Sequence, residues 1–357
     1  MELMNILYIT KLKNTMANGV TIAVTQLLNS ICNYADIGWL DVGNVEIDLD
    51  QKIKRIQLCD LQLFNADIAV FEDPFNTLEF CKIAKELKKS NIPYVIVPHG
   101  CFTRNALRKK ALKKYIAIGT LFHDFLYGCS ATQFLCVNER EHSLCFNDSL
   151  IIPNGIYDSK CYRVRNQIKR IVFLSRKDIQ HKGIDYLLEG IKKEISLLRA
   201  QEVKIDLYGP EVSNIDENYI SNFISSNHLE DILTNNGPVF GEEKDKVFNS
   251  SDAFILTSRY EGFPMAILEA LSFGLPVLIT DGTNLNEIIE EGQAGWTCHS
   301  SIDDVARMIR SAVECDDCSE ISKNARNLSL KYTWNEVSKM TISEYSKLLT
   351  KGHQDYE

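Results

Sequence analysis

The run from Ala253 to Asp281 constrains the fold more than any other part of the chain. Ala253–Leu256 is uniformly apolar and reads as a buried strand. A loop carrying Glu261 and Gly262 follows. Pro264 stands at the first helical position with its φ already set, and Gly274 and Pro276 end the helix. Val277–Ile279 opens a second strand. Strand, loop, helix and strand in this order make the crossover of a parallel sheet.

Two details add chemistry to the crossover. The free backbone N–H groups after Gly262 form a helix N-terminus, which favours an anion. Glu269 lies inside the helix, and its neighbours three and four residues away are Ala266, Ser272, Met265 and Phe273. None is basic, so the helix offers it no ion pair. A buried carboxylate needs a partner. A sugar diol at the strand's carboxyl end would serve; the alternative is a lysine from elsewhere, or solvent.

These residues resemble the Glu-x7-Glu signature of the large retaining family-4 glycosyltransferases, which have the GT-B fold. Glu261 and Glu269 occupy the two Glu positions, with Gly262, Phe263 and Pro264 between them. Upstream, Phe173–Gly183, with Arg176 and Lys182, resembles the family's strand–Arg–loop–Lys-Gly–helix element. Ile152–Ile156 is similar to the turn that ends its first domain, Val97–Gly100 to its His-Gly after a strand, and Asn18-Gly19-Val20 to its Gly-Gly-Val loop. The likeness is specific over 151–300 and weak over 36–66. Asn18 replaces a loop glycine, and Gly282-Thr283-Asn284 stands where many relatives have a glycine pair.

The resemblance implies two Rossmann-like doubly wound α/β domains facing across a cleft. The expected division is residues 1–156 as an acceptor-side domain, 157–169 as a polar linker, 170–333 as a nucleotide-sugar domain, and 334–357 as a helix crossing back. Apart from that last helix, periodicity supports this division. Apolar strands at Asn5–Ile9, Ile68–Phe71, Tyr94–Val97, Gln133–Val137 and Leu150–Ile152 alternate with helices at Val20–Asn33, Thr77–Lys89, Asn105–Ile118 and Glu139–Phe146. A second alternation starts at Ile171–Leu174, and 157–169 between them is charged and aperiodic. His99, Arg176 and Glu261 all fall just past strand ends, where open α/β sheets bind ligands.

A length of 357 residues suits two domains, and 45% apolar with 24% charged residues suits a globular protein. A net charge of −9 argues against a nucleic-acid partner. No apolar run approaches a membrane span, and the N-terminus lacks a signal pattern. Eleven scattered cysteines fit reduced thiols, so a cytoplasmic location is expected. Cys315-Asp-Asp-Cys318 has neither a second pair nor a nearby histidine, and is not read as a metal site. Asp48-Leu49-Asp50 sits in an alternating polar stretch and reads as a solvated loop or edge.

A nucleotide-sugar donor leaves as a diphosphate, whose growing charge needs a metal or fixed cations and dipoles. Arg176 and Lys182 supply cations, and the N–H groups of Phe263, Met265 and Ala266 supply dipoles (Pro264 has none). No metal and no cofactor are therefore expected. The resemblance assigns Glu261 to the donor-sugar hydroxyls, Glu269 to the ribose, Gly19 to the donor, and the backbone around Val239 to the base, with a UDP-sugar favoured. It assigns His99 to the sugar near its anomeric centre; the plainer reading is a structural histidine. The implied reaction is transfer with retention to a glycan or lipid-linked acceptor, in surface polysaccharide synthesis. A nucleotide-sugar 2-epimerase on the same scaffold and a non-catalytic partner subunit are the alternatives.

One further segment stands out. Arg104, Arg108, Lys109, Lys110, Lys113 and Lys114 form a basic run with no acidic residue. Leu107, Ala111, Tyr115 and Ile118 recur at helical spacing, which predicts a packed face with the cations outward. Residues 104–114 thus suggest contact with an anionic membrane surface, on the inner face of the cell membrane. A solvated lysine-rich helix and a phosphorylated acceptor are the alternatives.

Overall fold

The computed structural model describes residues 3–354 except 13–18, 44, 75–77, 109–110 and 160, so Asn18, Lys109 and Lys110 lie outside the described residues. The chain divides into two compact units: Met1–Gly155 with Thr333–Glu357, and Ile156–Tyr332.

The first unit holds seven parallel strands: β1 (Asn5–Thr10), β2 (Asp36–Asp41), β3 (Lys54–Arg55), β4 (Ile68–Glu72), β5 (Tyr94–Val97), β6 (Ala131–Phe134) and β7 (Asp148–Ile151). Their order is β3-β2-β1-β4-β5-β6-β7. Ile6, Leu7 and Ile9 of β1 are fully buried, as expected of a central strand covered on both faces. Phe71 makes edge contacts with Tyr94 and Phe125 at 5.3 and 5.0 Å between ring centres. The last helix, Trp334–Gln354, belongs to this unit. Trp334 Nε1 donates to Gln26 Oε1 (2.9 Å), and Tyr345 OH donates to Gln133 Oε1 (2.7 Å). A β-carbon on Gly155 would come within 2.6 Å of the Trp334 ring, so the turn needs glycine for this packing.

The second unit holds six parallel strands: β8 (Arg170–Leu174), β9 (Lys204–Tyr208), β10 (Leu233–Asn236), β11 (Ala253–Leu256), β12 (Val277–Thr280) and β13 (Gly295–Cys298). Their order is β10-β9-β8-β11-β12-β13. The helix Met265–Ser272 is the crossover between β11 and β12. In both sheets the chain reverses direction of growth between two neighbouring strands, β1 and β4 in one and β8 and β11 in the other. Such switch points, at the strands' carboxyl ends, are where doubly wound sheets bind ligands.

Several expectations need correcting. The segment 157–169 is not a free linker. Arg165 is 1% exposed, and its guanidinium donates to the carbonyls of Ser251, Phe248 and Asn249 and to that of Phe273 at the end of the crossover helix. Burial, reinforced by Arg163, pushes its pKa down to about 10. Charge alone made this stretch look solvated, whereas its arginine caps two helix ends. β2 escaped notice because Asp36, Gly38 and Asp41 interrupt its apolar run, yet a β-carbon at Gly38 would meet the Phe64 ring at 2.9 Å. The helix expected at Glu139–Phe146 covers only Val137–Glu141, and Ser143 bridges to Thr103 instead.

The basic segment forms helices at Arg104–Arg108 and Ala111–Gly119. Leu107 and Ile118 are buried, but Tyr115, expected on the packed face, is 50% exposed. Leu112, Ile116 and Leu121 are exposed as well, at 75, 56 and 63%. The outward surface is therefore apolar as well as basic, with Arg104, Arg108 and Lys113 exposed. Among the described residues, no helix is long and apolar enough to cross a membrane.

Candidate functional site

In the second unit the loops after β8 and β11 are stitched together at the switch point. Asp178 caps the short helix Ile179–Lys182 by accepting from His181 N–H (2.9 Å). Gly183 then turns the chain at φ 60°, and a β-carbon there would overlap the Thr257 carbonyl oxygen. The Thr257 hydroxyl bonds to the carbonyls of Lys182 (3.1 Å) and Gly183 (2.9 Å). Arg259 holds Asp185 through both guanidinium ends (2.8 and 2.6 Å), stacks over Tyr186 at 3.8 Å, and donates to the Ile179 and Gln180 carbonyls. The His181 ring lies flat on Tyr260, with ring centres 4.2 Å apart, and its Nε2–H donates to the Tyr260 carbonyl (2.8 Å). Burial and the neighbouring Lys182 charge hold His181 below its ordinary pKa.

This stitching brings together two residues 79 apart in sequence. Lys182 Nζ lies 2.5 Å from Glu261 Oε1, with both side chains about nine-tenths buried. The Ser258 hydroxyl donates to the same carboxylate oxygen (2.5 Å), and His181 Nε2 stands 3.9 Å from the other. Asn284, in the left-handed region at φ 62°, donates its side-chain amide to the Glu261 carbonyl (2.5 Å). The departure at Gly282-Thr283-Asn284 thus has a structural use. Gly282 lets the loop pass against the Ser258–Arg259 backbone, and Asn284 holds Glu261.

The other expected residues are distributed as follows. Arg176, just past β8, is exposed and makes no ion pair among the described residues; its neighbour Lys177 is buried and tied to Glu211. Gly262, Phe263 and Pro264 lead into the crossover helix, which begins at Met265, so Pro264 is the cap residue rather than the first helical one. Phe263 is 7% exposed, and the N–H groups of Met265 and Ala266 open the helix. Glu269 is 29% exposed and pairs with Lys244 Nζ at 2.8 Å. A lysine from the helix Gly241–Ser250 therefore supplies the partner that its own helix lacks. Val239 is half-buried in the loop after β10.

In the first unit, Gly19 begins the helix Gly19–Ile31 and is exposed, with nothing near the place of a β-carbon. His99, just past β5, is held at φ 47°, an uncommon conformation for a residue with a side chain. Its Nε2 lies 2.5 Å from Glu72 Oε2 at the end of β4. Asp48 and Asp50 lie in a loop outside any strand, where the Asp48 carbonyl accepts from the Asn29 side-chain amide and the Asp50 carboxylate from Lys52 N–H.

Sequence reading missed His181, Ser258, Asn284, Lys244 and Glu72. Only His181, beside Lys182, and Asn284, at a departure from the family pattern, gave any signal.

Residues 162–328 match the family model described as Glycosyl transferases group 1. An uncharacterized glycosyltransferase of Methanocaldococcus jannaschii is 28% identical over 185 residues, covering 51% of this chain and 46% of that protein. The chain spans about half the length of such curated relatives. Among solved structures, sucrose-phosphate synthase of Thermosynechococcus elongatus aligns with a TM-score of 0.72 at 14% identity, over 98% of this chain and 100% of the other. HepE of Anabaena, solved in complex with UDP and glucose, aligns at 0.69 and 15% identity, over 96% and 100%. These likenesses establish the GT-B fold class, and residues 162–328 carry a Glycosyl transferases group 1 domain.

Proposed function

We propose that the chain transfers a sugar from a nucleotide-sugar donor, a UDP-sugar by preference, with retention of configuration and without a metal. The observation that carries this reading is the buried Lys182–Glu261 pair, set beside the open N-terminus of the crossover helix at the switch point. A diphosphate arriving there meets a fixed ammonium, the exposed Arg176 guanidinium and helix N–H dipoles. These can stabilise the leaving group's charge without a metal. Glu261 is then the acceptor for donor-sugar hydroxyls, Glu269 faces the ribose in competition with Lys244, and the loop at Val239 receives the base. Gly19 and His99 keep the donor roles that the resemblance implies. Retention without an enzymatic nucleophile places the acceptor's attack on the face the diphosphate leaves. UDP in the HepE complex supports the choice of base.

Incubation with a panel of nucleotide sugars and glycan acceptors tests the reading. Nucleoside diphosphate release that persists in EDTA, with NMR showing a retained anomeric configuration, is expected. Dependence on added Mn²⁺ or an inverted product would overturn it, and solvent deuterium entering C2 of the sugar would establish the epimerase instead.

The acceptor class we favour is a lipid-linked glycan or surface polysaccharide precursor, with the chain acting at the cytoplasmic membrane face. Exposed Leu112, Tyr115, Ile116 and Leu121 beside Arg104, Arg108 and Lys113 support this. Such a surface can insert apolar side chains between acyl chains while its cations meet anionic headgroups, each worth about 1 kcal/mol. Co-sedimentation with anionic but not neutral vesicles is expected, weakened by Leu112→Ser with Ile116→Ser. Equal recovery on both vesicle types would remove the membrane from the account.

A further inference from the structure

The roles assigned above leave a buried carboxylate of the first unit unused. Glu72, the last residue of β4, is 2% exposed. A lone carboxylate in such a place is costly, so its partner matters. That partner is His99, whose side chain is 7% exposed and whose Nε2 lies 2.5 Å away. A second buried carboxylate secures the adjoining backbone: Glu139, 0% exposed, accepts from Gly100 N–H (2.6 Å) and Leu135 N–H (2.7 Å). One carboxylate thus fixes the left-handed turn at His99-Gly100, and the other fixes the ring. Uncommon backbone held by several buried contacts collects at functional sites.

We propose that Glu72 is a positioning residue for His99, holding the imidazole by Nε2 so that Nδ1 is the ring nitrogen left for the donor sugar. The inference rests on the assignment of His99 to that sugar. The Glu72 charge also favours a protonated ring. Burial disfavours the imidazolium, but Glu72, by charge and hydrogen bond, and Asp73 and Glu139, by charge, outweigh it and hold His99 above its ordinary pKa. The other groups beside the pair are phenols: Tyr8 of β1 and Tyr345 of the last helix, both kept neutral by burial. His99 is the ion-pair partner of Glu72 among the described residues.

Glu72→Gln keeps the shape and an acceptor oxygen and removes the charge, so it separates packing from electrostatics. ¹⁵N-histidine NMR of the full chain, with His99 assigned by its loss in His99→Asn, reads the ring directly. In the wild type, Nε2 should carry a proton throughout and the ring should titrate above a free imidazole. In Glu72→Gln the titration midpoint should fall by about one unit or more. An unmoved midpoint, or a neutral wild-type ring protonated at Nδ1, overturns the positioning role. The rate of nucleoside diphosphate release gives the second reading. In this proposal the imidazolium, donating through Nδ1–H to the donor sugar, is the active form. That form is present below the raised pKa, so activity should fall as pH rises through it, and this limb should move to lower pH in Glu72→Gln. A moved titration with an unmoved rate profile overturns the sugar assignment of His99 and leaves the Glu72 pairing standing.

Discussion

Lys182→Met should lower turnover at saturating donor about a hundredfold or more, on the order of 3 kcal/mol of transition-state stabilisation. Lys182 is held where it is by its neighbours. Asp178 starts its helix, Thr257 binds its carbonyl, and Glu261 takes its ammonium. On the proposed reading, a preset cation pays no reorganisation cost when charge develops on a departing diphosphate. The substitution also leaves Glu261 buried without its counter-ion, which costs stability by about 3 kcal/mol. The double variant Lys182→Met with Glu261→Gln separates the two effects. It should regain most of the lost melting temperature and none of the lost turnover. Wild-type turnover in folded Lys182→Met would refute the assignment of Lys182 to the leaving group.

Gly183→Ala should destabilise the second unit by about 3 kcal/mol or more. A positive φ costs a non-glycine residue roughly 1–2 kcal/mol. The new methyl group would also overlap the Thr257 carbonyl, forcing the two stitched loops apart at a further cost of about 1–3 kcal/mol. Thermal or urea unfolding measures the loss directly. Because the same turn presents Lys182, turnover should fall together with stability. Gly19→Ala provides the contrast. That helix-starting glycine is exposed with open space around it, and alanine should leave stability unchanged or slightly raised. An unchanged melting temperature in Gly183→Ala would mean that the loops do not depend on this close approach.

The architecture was legible in the sequence because its signals are local. Apolar runs at Ile6–Ile9, Ile171–Leu174 and Ala253–Leu256 mark central strands, since a strand buried on both faces has no polar side to alternate with. Pro264, Gly274 and Pro276 bracket the crossover helix because proline and glycine limit what the backbone can do wherever they stand. Where polar residues enter a strand, as in β2 and in β10 with Leu-Thr-Asn-Asn, the signal fades although the pairing forms.

Which charges meet was decided only by the tertiary structure. The sequence placed Lys182 and Glu261 on two loops and gave each a ligand, while the fold sets them 2.5 Å apart. It left Glu269 without a partner, and a helix 25 residues upstream supplies Lys244. It read Arg165 as part of a linker, and the fold buries that residue among the carbonyls of two helix ends. It singled out His99 and gave no hint of Glu72, which ends the neighbouring strand. Periodicity reports the burial of each residue against its own element. Ion pairing depends on distance through space between loops at strand ends, and strand order and register fix those distances only once the sheet has formed.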